Sequence, residues 1–273
     1  MPFKSHCRPV SASKTIVLTG ASGGIGTIVT QKLLDQGHVV VALSRTAPDI
    51  SHEALTHIRY DAVNLHDIGQ INKKISEKIS HIDVLLHCAA IISPSTIENS
   101  SPEDIIRQIS INLTAPITLT SLLLPKISVG GRIILVNSMA ATIPLAGSSV
   151  YGATKAGLRN FALSLAQEVR SKGISVSSIF PGAVETGMLR QEMENGGSVL
   201  NFVSDPAKPE DVACEILKLI RKPKLERFLP TLDGIFGGLC LLMPTLLRLS
   251  MPALTFFGKR GFQKFLRKQT SRQ

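Results

Sequence analysis

Short apolar runs alternate along this chain with stretches of helical periodicity, and that alternation restricts the folds open to it more than any other feature. Thr15 to Leu18, His38 to Leu43, Thr56 to Tyr60, Ile82 to His87, Arg132 to Asn137 and Ile174 to Phe180 read as buried strands. Asp67 to Ile79, Pro102 to Ser110, Leu113 to Lys126 and Ser149 to Lys172 read as helices. Repetition of this kind predicts right-handed crossovers and an α/β fold built on a doubly wound parallel sheet. Ligands of such sheets gather at the carboxyl ends of the strands. Gly20, Asp61, Ala89, Ser138 and Pro181 each fall just after a predicted strand.

The first of these positions opens a glycine-rich turn, Thr19-Gly20-Ala21-Ser22-Gly23-Gly24-Ile25-Gly26, between a strand and a helical pattern that runs through Leu33 and Leu34. Gly20 permits a tight turn, Gly24 lets backbone approach a pyrophosphate, and Gly26 allows close helix packing. Free N–H groups at the helix start favour an anion. The sheet is therefore expected to be Rossmann-like, with a nucleotide over its first turn.

A second pattern bears on chemistry. Tyr151 and Lys155 stand four residues apart where a helical pattern begins, so both side chains share one helix face. A phenol has a pKa near ~10, and lowering it by about 2 to 3 units takes roughly 3 to 4 kcal/mol. An ammonium about 4 Å away supplies ~4 kcal/mol at an effective dielectric of about 20. The pair is energetically sufficient for a tuned proton donor.

Taken in order, these motifs resemble the short-chain dehydrogenase/reductases from about Lys14 to about Thr231. The glycines show that family's three-residue gap. Asp61-Ala62 follows the third strand, Asn112 lies in Ile111-Asn112-Leu113-Thr114-Ala115, Ser138 precedes Tyr151 by thirteen residues, and Pro181-Gly182 is followed by Thr186. The resemblance implies an oxidoreductase that reduces a carbonyl, or oxidises the matching alcohol. Tyr151 would be proton donor, Lys155 would lower its pKa and hold the nicotinamide ribose, Ser138 would bind the carbonyl oxygen, and Asn112 would hold helix backbone and a proton-relaying water. The implied cofactor contacts are Gly20, Ser22, Gly24, Ile25, Gly26, Asp61, Ala62, Ala89, Tyr151, Lys155, Pro181, Gly182, Val184 and Thr186. At the end of the second strand, Ser44-Arg45-Thr46 stands where an acidic residue would select NAD. A guanidinium there can pair with a 2′-phosphate, so Arg45 favours NADP(H) while NAD(H) stays open. In one respect the chain departs from the family: His87-Cys88-Ala89-Ala90 replaces the usual Asn-Asn-Ala-Gly. This reads as a structural variation.

Charge and hydropathy divide the chain into an N-terminal extension over 1–13, a catalytic domain over 14–232 and an apolar, basic extension over 233–273. The first part has no apolar h-region of a secretory signal. Net charge is +10, yet Arg221 to Gln273 carries eleven Lys/Arg against Glu226 and Asp233, so the rest is nearly neutral. Arg248, Pro244 and Pro252 interrupt its apolar runs, which argues against a spanning helix. The extension is expected to lie on a membrane, to cover the substrate pocket, or to pack in an oligomer interface. Beside it, Met188, Leu189, Met193, Val199, Leu200, Phe202 and Val203 suggest a lipophilic substrate. The resemblance also implies a homodimer or homotetramer. Scattered cysteines and histidines give neither a disulfide framework nor a metal site, and point to a reducing, cytoplasmic setting. Interleaved Leu and Pro in the basic segment, with no Trp, exclude a nucleic-acid platform. The second functional reading is a membrane-associated NADP-binding protein with little turnover.

Overall fold

Buried on both sides, the strands send alternate residues into two separate cores. In β1 (Thr15–Thr19), Ile16 and Leu18 pack on one face and Val17 on the other. In β4 (Ile82–His87), Val84 and Leu86 join the first face and Leu85 the second. This period-two division is what a parallel sheet covered on both faces requires. The computed structural model describes residues 12–64 and 68–270. The expected N-terminal extension lies outside them up to residue 11, as does Asp67, the expected start of the second helix.

Seven parallel strands form the sheet in the order β3-β2-β1-β4-β5-β6-β7, where β2 is Val39–Ser44, β3 Leu55–Arg59, β5 Ile127–Val136, β6 Ser175–Pro181 and β7 Glu226–Leu229. Helices α1 (Gly24–Leu34) and α7 (Pro209–Arg221) cover one face. The other face is covered by α2 (Ile68–Ser76), α4 (Ala115–Leu123) and α5 (Ser149–Glu168). The remaining helices are α3 (Pro102–Ile109), α6 (Gly187–Glu194), α8 (Thr231–Leu242) and α9 (Pro244–Thr270). The chain runs outward from β1 to β3, then restarts at β4 on the other side. A crevice therefore opens at the carboxyl ends of β1 and β4, the switch point where such sheets bind ligands.

Close backbone approach makes that crevice. Gly20 has φ +75°, and a Cβ there would lie 2.7 Å from the Ala89 Cα at the end of β4. A Cβ on Gly26 would meet the Gly20 carbonyl at 2.0 Å, so α1 can start directly above β1 only with glycine at this position.

The fold corrects one expectation about the extension. Pro244 does break the chain, separating α8 from α9, but Pro252 lies inside α9. Proline removes one internal hydrogen bond, and packing of α9 against the 3₁₀ turn Val199–Phe202 holds the half of the helix that follows it. Phe202 is fully enclosed there, with the Phe262 and Phe265 rings each 5.0 Å from its own. Glycine again permits the contact: a Cβ on Gly261 would reach the Phe202 carbonyl at 1.9 Å. Helix α8 packs on β7 through Gly234 and beside Thr142 through Gly237. It begins two residues before the boundary read from the sequence, continuous with the packing of the sheet. No helix among the described residues is long and apolar enough to cross a membrane.

Candidate active site

The strand order sets the sequence motifs in a row along one edge. Asp61 and Ala62 follow β3, Arg45 follows β2, and the glycine turn follows β1. Then come Ala89 after β4, Ser138 after β5, and Gly182 after β6. Residues separated by more than a hundred positions thus line one edge of the sheet, along the groove at its strand ends.

At its centre the 20-residue α5 brings Tyr151 and Lys155 against the end of β5. Ser138 sits in extended backbone and caps the short turn Met139–Ala141, its hydroxyl accepting from the Ala140 N–H at 3.2 Å. The hydroxyl also hydrogen-bonds the Tyr151 side chain. Lys155 is 1% exposed, donates to the Val136 carbonyl at 3.1 Å, and lies 5.6 Å from the Tyr151 ring centre. Burial drives its ammonium down to about 8, with the nearby Cys88 sulfur opposing. Burial likewise pushes the Tyr151 phenol up to about 12, the Ser138 hydrogen bond working against it and the Glu192 carboxylate with it. The expectation was that Lys155 lowers this phenol's pKa; here burial sets the direction and raises it.

Asn112 occupies a single π turn, Ser110–Thr114, between α3 and α4. Its Oδ1 accepts from the Ile91 N–H at 2.9 Å, and its Nδ2 donates to the Ile91 carbonyl and the Thr154 hydroxyl. It therefore clips the segment after β4 to the turn of α5 that carries Lys155. This clip bears on the altered strand end. Thr19 Oγ1 accepts from the Cys88 and Ala89 N–H groups, and His87 hydrogen-bonds Thr120 at 2.8 Å. Burial pulls the His87 imidazole down to about 3, leaving it neutral. Thr19 and Thr120 thus tie this strand end to its neighbours in a segment that lacks asparagine. Burial also raises the Cys88 thiol to about 12, so it lacks the thiolate character of a redox sensor.

A cavity of about 310 Å³ opens beside this centre. Ile25, Ser138, Tyr151, Lys155, Val184 and Thr186 line it together with Pro181 and Gly182. Of the apolar residues expected around the substrate, Met188, Leu189, Leu200 and Val203 face the cavity, whereas Phe202 anchors α9. Phe236 of α8 and Leu254 of α9 close the far side. Besides the exposed Asp205, two carboxyls that sequence reasoning missed also line it. Glu192 accepts from Asn201 at 2.7 Å and Asp233 from Ser204 at 3.3 Å, and burial raises the pKa of both. Neither belongs to a motif, so only the folded chain reveals them.

The other end of the groove fits a dinucleotide. Helix α1 starts at Gly24 after Gly23, with no side-chain cap and no acidic residue in its first turn, so its N–H groups remain for an anion. A Cβ on Gly24 would collide with the Thr186 methyl at 2.9 Å, so the turn and the loop after β6 approach as only glycine allows. Arg45 is exposed, and beside it the Thr46 hydroxyl donates to Ser22 Oγ at 3.3 Å. Thr46 is a further polar group at this end that the sequence did not single out. Asp61 is exposed too, its Oδ1 accepting from the Val63 N–H. It shapes the turn after β3.

The profile described as short chain dehydrogenase matches residues 14–196, two thirds of the chain and all of the groove just described up to α6. The chain belongs to the short-chain dehydrogenase family. This short-chain dehydrogenase is 29% identical over 230 residues to "Carbonyl reductase family member 4" of Xenopus laevis, covering 81% of this chain and 97% of that protein. It is 30% identical over 244 residues to "3-oxoacyl-[acyl-carrier-protein] reductase" of Synechocystis, with 83% and 97% covered. Its fold matches a short chain dehydrogenase family protein of Francisella tularensis at a TM-score of 0.71, with 22% identity over 80% of this chain and 97% of that one. Membership makes the protein an oxidoreductase of the dehydrogenase/reductase type that uses a nicotinamide dinucleotide.

Proposed function

We propose that this short-chain dehydrogenase is an NADP(H)-dependent reductase of lipophilic ketones or aldehydes, with Tyr151 delivering the proton. The observation that carries the reading is the hydrogen-bonded pair of Ser138 and Tyr151 on the wall of a mainly apolar cavity, with a buried Lys155 beneath it. The two relatives, a carbonyl reductase and a 3-oxoacyl reductase, support the same reaction class.

When bound, a reduced nicotinamide dinucleotide would supply the hydride that reduces the carbonyl carbon. The chain's own groups manage the oxygen. Ser138 and Tyr151 hold it, and as charge develops Tyr151 transfers its proton, so the carbonyl becomes an alcohol. Lys155 stabilises the resulting phenolate from within a low-dielectric site. Arg45, Ser22 and Thr46 would hold a 2′-phosphate, and Ile25, Val184 and Thr186 the nicotinamide end. Asn112 positions the Lys155 turn through Thr154 and Ile91. The reading includes a homodimer or homotetramer through α4 and α5, which rests on the family resemblance. It also includes a peripheral membrane contact by residues 233–273.

The direct test is cofactor oxidation at 340 nm on the order of one NADPH per alcohol formed, across a panel of aromatic, steroidal and long-chain carbonyls. Turnover with NADPH that increases with apolar surface of the substrate is expected. A panel that gives no turnover, or turnover restricted to small polar sugars, would sink the reading.

The buried lysine gives a pH signature with two opposite trends. With its ammonium at about 8, kcat/KM for reduction should hold below that pH and fall as pH rises through it. Stability runs the other way. The folded pKa lies below the 10.5 of a solvated lysine, so burying the charged form is a penalty below about 8 that is relieved between about 8 and 10.5. The melting temperature of the cofactor-free protein, compared with Lys155→Met, should therefore climb relative to the variant over that window. A wild-type difference that is flat or falls would contradict the buried ammonium.

A further inference from the structure

Helix α8 is apolar nearly all round, a composition that water does not support unless something covers both sides. Its inner side is covered, with Gly234 against Phe228, Gly237 against Thr142 and Phe236 in the cavity wall. Its outer side is not. Of the nineteen large hydrophobic residues exposed among the described residues, ten fall between Leu232 and Leu266. They concentrate where α8 turns into α9: Leu242 is 82% exposed and Leu249 73%, with Met243 and Pro244 exposed between them.

The long α9 extends this surface in two halves. Leu249, Pro252, Ala253 and Phe256 are exposed at i, i+3, i+4 and i+7, which is one stripe of a helix. The same stripe continues through Arg260, Gln263 and Arg267, and there it is cationic. Arg260 lies 5.5 Å over the Phe256 ring, fixing where the apolar half meets the basic one. Arg248 stands at the other end, beside Leu249. Apolar side chains at the tip with cations behind them match the depth profile of a bilayer surface, acyl chains below and phosphate above.

We propose that the α8–α9 elbow docks on an anionic lipid bilayer, inserting Leu242, Met243, Leu249 and Phe256 while Arg248, Arg260 and Arg267 meet lipid phosphates. A second copy of the chain fits this face worse. In a two-fold pair each residue near the axis faces its own kind, so the arginines of both copies would be brought together with no acidic residue exposed on the elbow to offset them. A spanning insertion is excluded for the described helices. Docking deepens the proposed function, since Phe236 and Leu254 of these same helices line the cavity and would bring its apolar wall to the lipid. That consequence rests on the carbonyl-reductase reading, whereas docking itself is read without turnover.

The experiment is co-sedimentation of the full chain with extruded vesicles of phosphatidylcholine, with and without phosphatidylserine. Binding to the anionic vesicles at least about tenfold tighter than to neutral ones is expected, weakening at high salt. The double variant Leu242→Asp/Leu249→Asp removes exposed side chains only. It should keep the wild-type melting temperature and lose at least about tenfold in vesicle affinity. Three results would overturn the proposal: sedimentation with neither vesicle, equal affinity for both, or full binding by the double variant. A concentration-dependent dimer that the double variant dissolves would also overturn it, assigning the face to a second copy.

Discussion

Tyr151→Phe lowers kcat for carbonyl reduction by about a thousandfold, within the range of about 10² to 10⁴ that a positioned general acid contributes. The substitution removes one oxygen and leaves the ring. In the folded protein that oxygen's recorded side-chain partner is Ser138, so the helix and its packing remain. The melting temperature should shift by no more than roughly 1 kcal/mol of stability implies, because a single neutral hydrogen bond is lost. Dinucleotide binding, read by the fluorescence of the reduced nicotinamide, should persist with Lys155 still in place. Measuring kcat, melting temperature and binding on one preparation separates chemistry from folding. If the variant kept kcat within tenfold of wild type, the proton would have to come from elsewhere. The buried Glu192 carboxyl on the same cavity would then be the first group to test.

Arg45→Glu inverts the cofactor preference. A guanidinium paired with a phosphate contributes about 1.5 to 3 kcal/mol, so its loss should raise KM for NADPH by roughly 10- to 150-fold. The carboxylate adds repulsion against the 2′-phosphate and offers an acceptor to the two ribose hydroxyls of NAD, so NADH should gain. Arg45 is exposed beyond the end of β2. Fold stability should therefore change little, as for surface positions generally. The ratio of kcat/KM for NADPH over NADH, measured with one carbonyl at one ionic strength, decides the matter. A ratio unchanged by the substitution would mean that Arg45 is a solvated loop residue and that the Ser22–Thr46 pair has no phosphate to hold.

Much of the catalytic arrangement was readable from local patterns. The glycine turn could be recognised because its requirement is steric and short-range: Gly20 and Gly26 are six residues apart and meet each other directly. The pairing of Tyr151 with Lys155 follows from helical periodicity alone. Strand positions were read to within a residue at most ends, since two-sided burial leaves unbroken apolar runs. β5 was read five residues short because Gly130 and Gly131 interrupt the run, while β7 was missed because its four residues are only partly buried at the sheet edge. The helices from α6 onward were not delineated. In α6 and α9 charged and apolar residues mix, and α8 is too uniformly apolar to show a period.

The sequence by itself determined the family, the parallel sheet, the order of the motifs and the identity of the side chains that meet at the cavity, because those depend on spacing along a strand or helix. Tertiary structure alone decided three things. It set the protonation of the site, since the position of Lys155 near 8 and Tyr151 near 12 arises from desolvation by segments far away in the chain. It brought Thr46 to Ser22 and Glu192 to Tyr151, pairs with no local pattern between them. It also folded the basic, apolar extension back over the cavity, where one side of α8 serves the pocket and the other remains uncovered. Which side of a helix is buried depends on what packs against it, and for a helix apolar on every side no periodicity can announce the answer.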